Sequence, residues 1–495
     1  MPTSFAPLYL TDEMRALEAR ATAERPQPTL MERAGLAAAE RARSLAGDGR
    51  GILVLAGPGN NGGDALEAAV HLRQWFYRVD VLLAGDAARL PPDARAAAAK
   101  WSDADGRLLR SIPEGTRYDL VIDGLFGIGL ARPVGGRHAE LIAQAERLCA
   151  RRLALDVASG IDADTGAVMG AAFHATHTIT FIARKPGLYT LDGPDHCGEV
   201  AVAALGLDAE ALAPPQGRLV DATLLGAPLI ARPRNFHKGL AGSVGIVGGA
   251  DGMVGAALLA GRAALRLGAG KVFLGLLAAR PPQVDAGQLE LMLRDPQALV
   301  SELPLSALAV GPGLGTAAAA ERLLAQSLRA ERPLVVDADA LNLIAQDPAL
   351  QSAVVARAAA TLLTPHPAEA GRLLGVPSAE VQSDRVAAAR TIAGRLRSWV
   401  ALKGNGTVLA APDGRWWVNA SGNPGMASAG MGDVLTGMIA SLLAQGLDPE
   451  RALVAGVYLH SAAADAAAAH GSGPIGLTAS ETIDLARALL NRAGG

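Results

Sequence analysis

Short aliphatic segments alternate with helical patterns along this chain of 495 residues from about residue 50 onward. This alternation is typical of parallel β-sheets that are covered by helices on both faces. In the first half we predict strands at residues 51–56, 79–83, 120–122 and 153–155, and helices at 66–75 and 138–148. In the second half we predict strands at 244–247, 272–276, 307–310, 334–336 and 360–363, and helices at 253–267, 317–329, 378–396 and 451–470.

Prolines interrupt this pattern at residues 214–215 and again between residues 228 and 233. A chain of this length exceeds one ordinary hydrophobic core, so we expect two domains. We place the boundary near Pro215. The prediction is therefore an α/β protein with domains at residues 1–215 and 216–495.

The composition excludes several classes of function. Half of the residues are hydrophobic and only 3% are aromatic, so the cores should consist of Ala, Leu and Val. A net charge of −3 gives no electrostatic reason to expect nucleic acid or a membrane as partner. No apolar run reaches about 18 residues without a charge, and no secretory signal pattern is present. Because Cys149 and Cys197 form neither a disulfide framework nor a zinc spacing, we expect a reducing, cytoplasmic location.

A glycine-rich stretch at residues 425–437, GMASAGMGDVLTG, leads into the apolar run at 434–443. Such a loop places free backbone N–H groups and the positive end of a helix dipole where a phosphoryl group can bind. Asp433 then lies where an acceptor hydroxyl needs a base. The alternative is an ordinary helix cap, because Asp is favoured there. Upstream, the segment KGNGT that begins at Lys403 offers a cation and a tight turn to the same phosphates.

Residues 57–64, GPGNNGGD, follow a predicted strand and formally satisfy the dinucleotide-binding pattern G-x-G-x-x-G. The carboxylate of Asp64 would repel a pyrophosphate there, whereas amides and a carboxylate suit hydroxyl groups or a cation. A plain glycine-rich turn with an Asp cap is the structural alternative. Asp123 and Asp156 end two further predicted strands. Because ligands bind at the carboxyl ends of strands in open α/β sheets, we expect the Asn-rich loop and both acids to share one crevice.

This crevice can exchange a proton with a substrate through a carboxylate. Asn61, Asp123 and Ser159 can supply oxygens to a monovalent cation.

The segments 59–64, 123–130 and 156–162, together with LMERAG at 30–35, resemble the NAD(P)HX epimerase domain. The resemblance implies a Rossmann-like domain that interconverts the R and S epimers of hydrated NAD(P)H, with Asp156 as the proton-transfer group. It implies potassium ligands at Asn61, Asp123 and Ser159. It implies substrate contacts at Asn60, Asn61, Gly62, Gly63, Asp64, Gly127, Ile128, Gly129, Leu130, Ala131, Arg132 and Asp156.

Two residues depart from that family's pattern, because Ala65 replaces a usual glycine and Ala158 a usual proline. We expect the first to narrow the entrance beside Asp64 and the second to loosen the loop that carries Ser159.

The second half resembles the ADP-dependent NAD(P)HX dehydratase domain, a member of the ribokinase-like superfamily. The glycine-rich stretch and six other segments carry the resemblance, namely NFHKG at 235–239, GG at 248–249, GPGLG at 311–315, DADALN at 337–342, TPHPAE at 364–369 and KGNGT at 403–407. It implies nucleotide contacts at Lys403, Gly404, Asn405, Gly406, Thr407 and Gly432. It implies contacts with the hydrated substrate at Ala257, Gly313, His366 and Asp433, with Asp433 as the catalytic base. Ala429 and Met431 depart from the usual residues, and we expect nucleotide binding to be retained but weaker.

Together the resemblances imply one bifunctional repair enzyme that acts on NADHX and NADPHX. The S form would be dehydrated through transient phosphorylation of its ring hydroxyl, with ADP as co-substrate and Mg²⁺ bound with the nucleotide. The resemblance also implies potassium in the epimerase domain and a homo-oligomer. Two alternatives stay open: a ribokinase-type kinase for a vitamin precursor or sugar, and a nucleotide-binding regulatory protein with a degenerate site.

Overall fold

The computed structural model describes residues 5–24, 27–226, 229–230, 232–471 and 473–492. The chain forms two compact units, Ala6–Gly217 and Arg218–Gly495, and Phe5 belongs to the second. The change of unit lies two residues beyond the sequence boundary at 215/216. The assignment of one activity to each side of that boundary stays a prediction.

The N-terminal unit contains a seven-stranded parallel sheet in the order β4-β3-β2-β5-β6-β7-β8. The strands of this sheet are β2 (Gly51–Ala56), β3 (Arg78–Leu83), β4 (Leu108–Leu109), β5 (Leu120–Gly124), β6 (Arg152–Leu155), β7 (His177–Phe181) and β8 (Glu199–Ala203), and β1 (Ala6–Leu8) of this unit lies outside it. Its helices are α1 (Thr11–Glu24), α2 (Leu30–Ala46), α3 (Asn60–Gln74), α4 (Pro92–Asp103), α5 (Gly136–Ala145), α6 (Gly193–Cys197) and α7 (Ala209–Leu212).

The strands that were predicted from aliphatic runs all form in this unit. Every residue of β2 is buried, as expected for a central strand covered on both faces. Strands β7 and β8 were not predicted, because threonines and a glutamate interrupt their aliphatic pattern. Helix α3 begins at Asn60, six residues before the predicted start, because the glycines of this segment adopt helical geometry.

The C-terminal unit contains the remaining elements. Its strands are β9 (Gly217–Val220), β10 (Ser243–Gly248), β11 (Lys271–Leu276), β12 (Met292–Arg294), β13 (Ala307–Val310), β14 (Leu334–Val336), β15 (Thr361–Leu363), β16 (Trp399–Leu402), β17 (Thr407–Ala410) and β18 (Trp416–Asn419). Its helices are α8 (Val254–Arg266), α9 (Pro296–Glu302), α10 (Ala318–Leu328), α11 (Ala338–Gln346), α12 (Pro348–Val355), α13 (Pro367–Leu374), α14 (Ser378–Ser383), α15 (Arg385–Leu396), α16 (Met431–Ala444), α17 (Pro449–His470) and α18 (Ala479–Arg492).

These strands run in the order β9-β18-β17-β16-β15-β14-β13-β10-β11-β12. Neighbours from β16 through β12 pair in parallel, whereas β17 and β18 are antiparallel additions. The predicted helix at 378–396 was wrong in one respect. It breaks into α14 and α15 at Asp384, whose carboxylate caps the second helix by accepting from Ala387 N at 2.8 Å.

Helix α16 is apolar on nearly all sides and is buried from Val434 to Ala444. It packs between α8 and α17 against the sheet. Helix α17 is long and apolar enough by composition to cross a membrane, but 67% of its apolar window is buried in the protein. Its contacts with α16 and α18 are those of a core helix.

The crossing of α8 and α16 depends on a glycine. A Cβ added at Gly437 would lie 2.0 Å from the carbonyl oxygen of Ala260, a backbone atom that cannot move alone. The two helix backbones can therefore approach this closely only without a side chain at residue 437.

We expect Gly437→Ala to destabilise the C-terminal unit by about 1–3 kcal/mol, because overpacking forces the helices apart. Gly394→Ala is the matched control, since Gly394 lies in helix α15 with no atom within 4 Å of an added Cβ. This control should stabilise the unit by up to about 1 kcal/mol through its better helix propensity. Urea unfolding of both variants measures the difference, and equal effects would contradict the close-crossing argument.

Candidate active sites

The first candidate site lies at the carboxyl ends of the adjacent strands β2, β5 and β6. The start of α3 follows β2, Asp123 lies near the end of β5, and Asp156 follows β6 directly. Parallel strands bring these three segments to one edge of the sheet. The structure thus places the Asn-rich segment and both acids together, as the alternation of strands predicted.

Asp123 and Ser159 form the fully buried floor of this site. The Asp123 carboxylate accepts from Ser159 N at 2.8 Å and from Ser159 Oγ at 2.7 Å, and Leu125 N lies 3.2 Å from Oδ1. Burial raises the pKa of Asp123 to about 6, although these hydrogen bonds oppose the rise. Asn61 donates to Leu155 O at 3.2 Å, while its buried Oδ1 has no partner among the described residues. Among the described residues the arrangement therefore leaves one acceptor oxygen without a hydrogen-bond donor and one carboxylate poorly solvated.

Asp156 is 8% exposed and has a left-handed backbone with φ of +68°. Its Oδ1 accepts from Lys185 Nζ at 2.5 Å, and its Oδ2 accepts from Ile128 N at 3.1 Å. Sequence reasoning missed Lys185. The only signal was a single lysine between the apolar residues 181–183 and the turn at Pro186–Leu188.

The other residues predicted to contact substrate lie on two segments of this site. Asn60, Asn61, Gly62, Gly63 and Asp64 are the first five residues of α3, and Gly59 is the N-cap. The alternative that Asp64 caps this helix was therefore wrong. Ile128 reaches Asp156 through its amide, while Gly129, Ala131 and Arg132 are exposed on the same loop, which contains Gly127 and Leu130. Their role as substrate contacts stays a prediction.

The two departures from the family pattern affect the core rather than the crevice. An added Cβ at Gly124 would lie 2.5 Å from the methyl carbon of Ala65, so Ala65 packs under β5. The expectation that Ala65 narrows the entrance beside Asp64 was wrong. Ala158 is also buried, in the cluster on the other face of the sheet. Three hydrogen bonds from Ser159 to Asp123 and Phe126 hold the loop that Ala158 was expected to loosen.

The second candidate site lies at the carboxyl ends of β14, β15 and β16, which are followed by Asp337, His366 and Lys403. Lys403 Nζ donates to Asp337 Oδ1 at 2.8 Å and lies 4.0 Å from Glu369 Oε2. Burial lowers the pKa of Lys403, but these two carboxylates outweigh it, and the net pKa is raised. The other Asp337 oxygen accepts from Thr436 Oγ1 at 2.9 Å, which ties the pair to α16.

Asp433 is the third residue of α16, whose N-cap is Gly430. The alternative that Asp433 is the cap was therefore wrong. Val434 N already donates to Gly430 O, so the first-turn amides without an intrahelical acceptor are those of Met431, Gly432 and Asp433. Met431 and Gly432 belong to the predicted amides of residues 429–432, and the phosphate contacts of that set stay a prediction. Burial and the charge of Asp337 raise the pKa of Asp433 to about 6, while Lys403 opposes the rise.

Gly432 lies directly beside the charged pair. An added Cβ at this position would be 3.2 Å from Lys403 Nζ and 3.5 Å from Asp337 Oδ2. The helix N-terminus, a lysine and a partly buried acid thus meet at one point. This geometry suits a phosphoryl group next to an acceptor hydroxyl.

The segment 403–407 forms the tight turn between β16 and β17, with Gly404 and Gly406 at positive φ. Asn405 is exposed at its tip, and Thr407 Oγ1 donates to Gly404 O at 3.2 Å. The buried Arg385 donates Nη2 to Leu402 O at 3.1 Å and Nη1 to Asn405 O. Arg385 was missed, because its partners lie about 20 residues further along the chain and no local pattern marks them.

The predicted substrate contacts His366, Gly313 and Ala257 have different structural surroundings. His366 is the N-cap of α13, where its Nδ1 accepts from Ala368 N at 3.1 Å and its Nε2 lies 3.2 Å from Glu369 Oε1. Burial lowers the pKa of His366, and the charges of Lys403 and Arg372 add to this. Gly313 is buried at φ +58°. Ala257 has no accessible surface, and its methyl group packs near Gly249.

Within the described ranges, no group of three or more His, Cys, Asp or Glu side chains is placed to hold a metal ion. The predicted potassium ligands are an Asn, a Ser and a single Asp, so they do not form a group of that kind. Both candidate sites therefore rest on mixed oxygen donors, backbone amides and one lysine each.

Comparisons with known proteins give a consistent result. Residues 27–187 match a family described as YjeF-related protein N-terminus, and residues 244–485 match the NAD(P)H-hydrate dehydratase family. The bifunctional NAD(P)H-hydrate repair enzyme Nnr of Coxiella burnetii is 38% identical over 98% of this chain and 99% of its own. The enzyme of the same name from Escherichia coli K12 is 38% identical, with coverage of 93% and 89%.

Among solved structures, the ADP/ATP-dependent NAD(P)H-hydrate dehydratase of Bacillus subtilis, co-crystallised with ATP/Mg²⁺, is 33% identical with a TM-score of 0.49. It covers 55% of this chain and 98% of its own. The relatives from Coxiella and Escherichia match both halves in the same order and over nearly their full length. The chain thus belongs to the family of bifunctional NAD(P)H-hydrate repair enzymes.

Proposed function

We propose that this chain repairs hydrated NAD(P)H by epimerising its R and S forms in the N-terminal site and dehydrating the S form in the C-terminal site. The observation that carries the proposal is the position of Asp433. Its carboxyl lies on the first turn of α16 beside free amides and near the Lys403–Asp337 pair, and its pKa is raised to about 6. A base with that pKa is ionised at neutral pH yet still basic enough to accept a proton.

The dehydration needs a better leaving group than hydroxide. Asp433 takes the proton of the ring hydroxyl while the oxygen of that hydroxyl attacks the terminal phosphorus of ADP. The bond between this phosphorus and the bridging oxygen breaks, and AMP leaves with the electron pair. The amides of Met431 and Gly432 and the ammonium of Lys403 stabilise the negative charge on the transferring group. Phosphate then leaves as the ring nitrogen donates its electron pair, and loss of a proton from the next carbon restores the double bond.

The nucleotide would lie over the turn at residues 403–407, where the contacts of Lys403, Gly404, Asn405, Gly406, Thr407 and Gly432 are proposed. ADP is the proposed co-substrate, and Mg²⁺ accompanies it, because phosphate oxygens supply most ligands of this ion. Met431 supports nucleotide binding in spite of its departure from the family pattern. Its side chain is buried in the core, so its backbone amide remains available to phosphate.

In the N-terminal site we propose that Asn61, Asp123 and Ser159 hold potassium. The donor set fits, because Asn61 Oδ1 is buried with no partner among the described residues and burial raises the pKa of Asp123, which a bound cation would lower again. A bound K⁺ would supply positive charge and fix the loops that carry these three residues. Asp156, with the segments 60–64 and 127–132, forms the proposed contact surface for the hydrated ring.

The location and assembly of the protein are also proposals. Cys149 and Cys197 are both free thiols, which suits a reducing cytoplasm. A homo-oligomer is the expected assembly.

Purified protein incubated with mixed-epimer NADHX, ADP and Mg²⁺ should restore the NADH absorbance for both epimers. The amplitude of the NADH absorbance separates the two activities, because dehydration alone recovers NADH only from the S epimer and recovery from the R epimer also needs epimerisation. Recovery of the S epimer alone would refute the epimerase assignment, and no recovery would refute the dehydratase assignment. Mass spectrometry of the same reaction should find free phosphate, whereas a stable phosphorylated product would indicate a ribokinase-type kinase.

Asp433→Asn should lower dehydration at least about 100-fold while ADP affinity is retained, because only the proton acceptor is lost.

The same variant should also change the stability of the protein. A pKa of Asp433 raised from 3.8 to about 6 corresponds to a penalty of roughly 3 kcal/mol on the charged form in the folded state. The neutral Asn should therefore raise the melting temperature at pH 7. This gain is full above about pH 6 and disappears as the pH falls towards 3.8, where both states are protonated.

The matched control is Asp295→Asn, an exposed N-cap of α9 at which Asn caps equally well. It should change neither turnover nor stability. Retention of wild-type turnover in Asp433→Asn would remove the base from the mechanism.

Arg385→Lys should raise the KM for ADP about tenfold, because an ammonium cannot donate in a fork to two carbonyl groups. The turn at 403–407 would lose one of the two carbonyl hydrogen bonds that Arg385 donates, whereas the epimerase activity should not change. Arg395→Lys is the control on the same helix, where the side chain is exposed and holds no turn. Steady-state kinetics at varied ADP measures both variants, and an unchanged KM in Arg385→Lys would exclude the positioning role.

A further inference from the structure

Lys185 is a buried ammonium four residues after the end of β7, with 1% of the residue exposed. Its Nζ donates to Asp156 Oδ1 at 2.5 Å, to Thr180 Oγ1 at 2.9 Å and to Phe181 O at 2.9 Å. These three acceptors use all three N–H bonds of the ammonium. Lys185 therefore has no donor left for a substrate, and its function is to hold Asp156.

The Asp156 carboxylate is held from two sides. Lys185 binds Oδ1, and the amide of Ile128 binds Oδ2 at 3.1 Å. A Cβ at Gly127 would lie 2.8 Å from Oδ2, so the loop can approach the carboxylate only with glycine at this position. The carboxylate is thus fixed in orientation, and 8% of the residue is exposed.

Asp64 lies one turn after Asn61 on α3 and on the same face of the helix. Asn61 donates to the carbonyl of Leu155, the residue before Asp156, so this face is directed at the end of β6. Among the described residues, no group donates a hydrogen bond to the Asp64 carboxyl. Its surroundings are therefore the opposite of those of Asp156.

The charged groups around Asp64 reinforce this contrast. Burial raises the pKa of Asp64 well above its ordinary value, and the charges of Asp156, Glu18 and Glu67 add to the rise. Lys185 opposes it only in part. Burial and Asp156 also raise the pKa of Glu18, which lies on α1. Two carboxyl groups in one crevice, one held by a lysine and one without a donor, are the arrangement of a base and an acid.

We propose that Asp156 and Asp64 are the base and the acid that open the ring carbon–nitrogen bond of the hydrate, and that Lys185 is the positioning residue of Asp156. The inference deepens the proposed epimerase function and rests on it. It assigns a role to Lys185 and a second proton-transfer group to the site.

The step follows from the chemistry of the hydrate, whose hydroxyl-bearing carbon is bonded to the ring nitrogen. Asp156 takes the hydroxyl proton, a carbonyl group forms, and the carbon–nitrogen bond breaks. The electron pair of that bond goes to the nitrogen, which receives the proton of Asp64. Rotation about the adjacent carbon–carbon bond presents the other face of the aldehyde, and closure reverses both proton transfers. No oxidant or reductant is needed.

The first test measures interconversion of R- and S-NADHX without nucleotide, in the full-length chain. Asp64→Asn should lower the rate at least about 100-fold. Lys185→Met should lower it at pH 7 and move the acid limb of the pH–rate profile upward by about one unit, because the uncompensated Asp156 ionises less readily. Arg147→Met is the control, since it removes an exposed cation of the same unit, and it should stay within a few-fold of wild type.

Dehydration of pure S-NADHX by the same variants is the control for the C-terminal site, and its rate should not change. If Lys185→Met does not fold, Lys185→Arg replaces it and should retain partial rate with an altered pH limb. A wild-type rate in Asp64→Asn, or a lower rate in the Lys185 variant with an unmoved limb, would overturn the inference. A wild-type protein that does not interconvert the epimers would instead overturn the proposed function.

A second test follows the carbon-bound hydrogens. Interconversion in D₂O by ring opening leaves the hydroxyl-bearing carbon and its neighbour free of deuterium, because only O–H and N–H protons exchange. Deuterium on the hydroxyl-bearing carbon would indicate removal of its C–H proton. Deuterium on the neighbouring carbon would indicate dehydration followed by rehydration. Either result, read by NMR, would contradict the ring-opening step.

Discussion

The ion pair of Lys403 and Asp337 is the interaction on which the C-terminal site depends. It lies between the ends of two parallel strands and the first turn of α16, and Thr436 attaches it to that helix. A buried pair of this kind adds little net stability, because desolvation offsets the attraction. Removal of either partner alone costs several kcal/mol. The pair therefore fixes the positions of the strand ends and the helix relative to one another, and with them the proposed base Asp433.

The N-terminal site repeats this solution with different residues. Lys185 holds Asp156 as Lys403 holds Asp337, in each case at the carboxyl edge of a parallel sheet. In each unit a second acid lies nearby, and its pKa is raised by burial and by the first acid. In each site the carboxyl groups outnumber the one lysine, so the second acid is insufficiently compensated. That imbalance costs stability and supplies a group that can exchange protons.

Much of the fold could be predicted from the sequence, because central strands such as β2 are short, aliphatic and buried on both faces. The site was predictable as far as it follows from topology, since acids at strand ends meet at one edge of a sheet. The start of α3 was not, because glycine and asparagine favour loops until tertiary contacts impose a helix. Lys185 and Arg385 could not be identified either. Their roles depend on partners that are distant in sequence, and a lone cation carries no local pattern.

The departures from the family pattern also have a physical explanation. Met431 and Ala65 direct their side chains into the core, whereas the groups beside them that we propose to contact ligands are the amide of Gly432 and the carboxylate of Asp64. A site built from backbone amides is insensitive to side-chain identity as long as the backbone path is kept. Close contacts keep that path here, because Gly432 abuts Lys403 and Gly124 abuts Ala65. Substitution at Gly432 would therefore disturb the C-terminal site more than any of the observed departures.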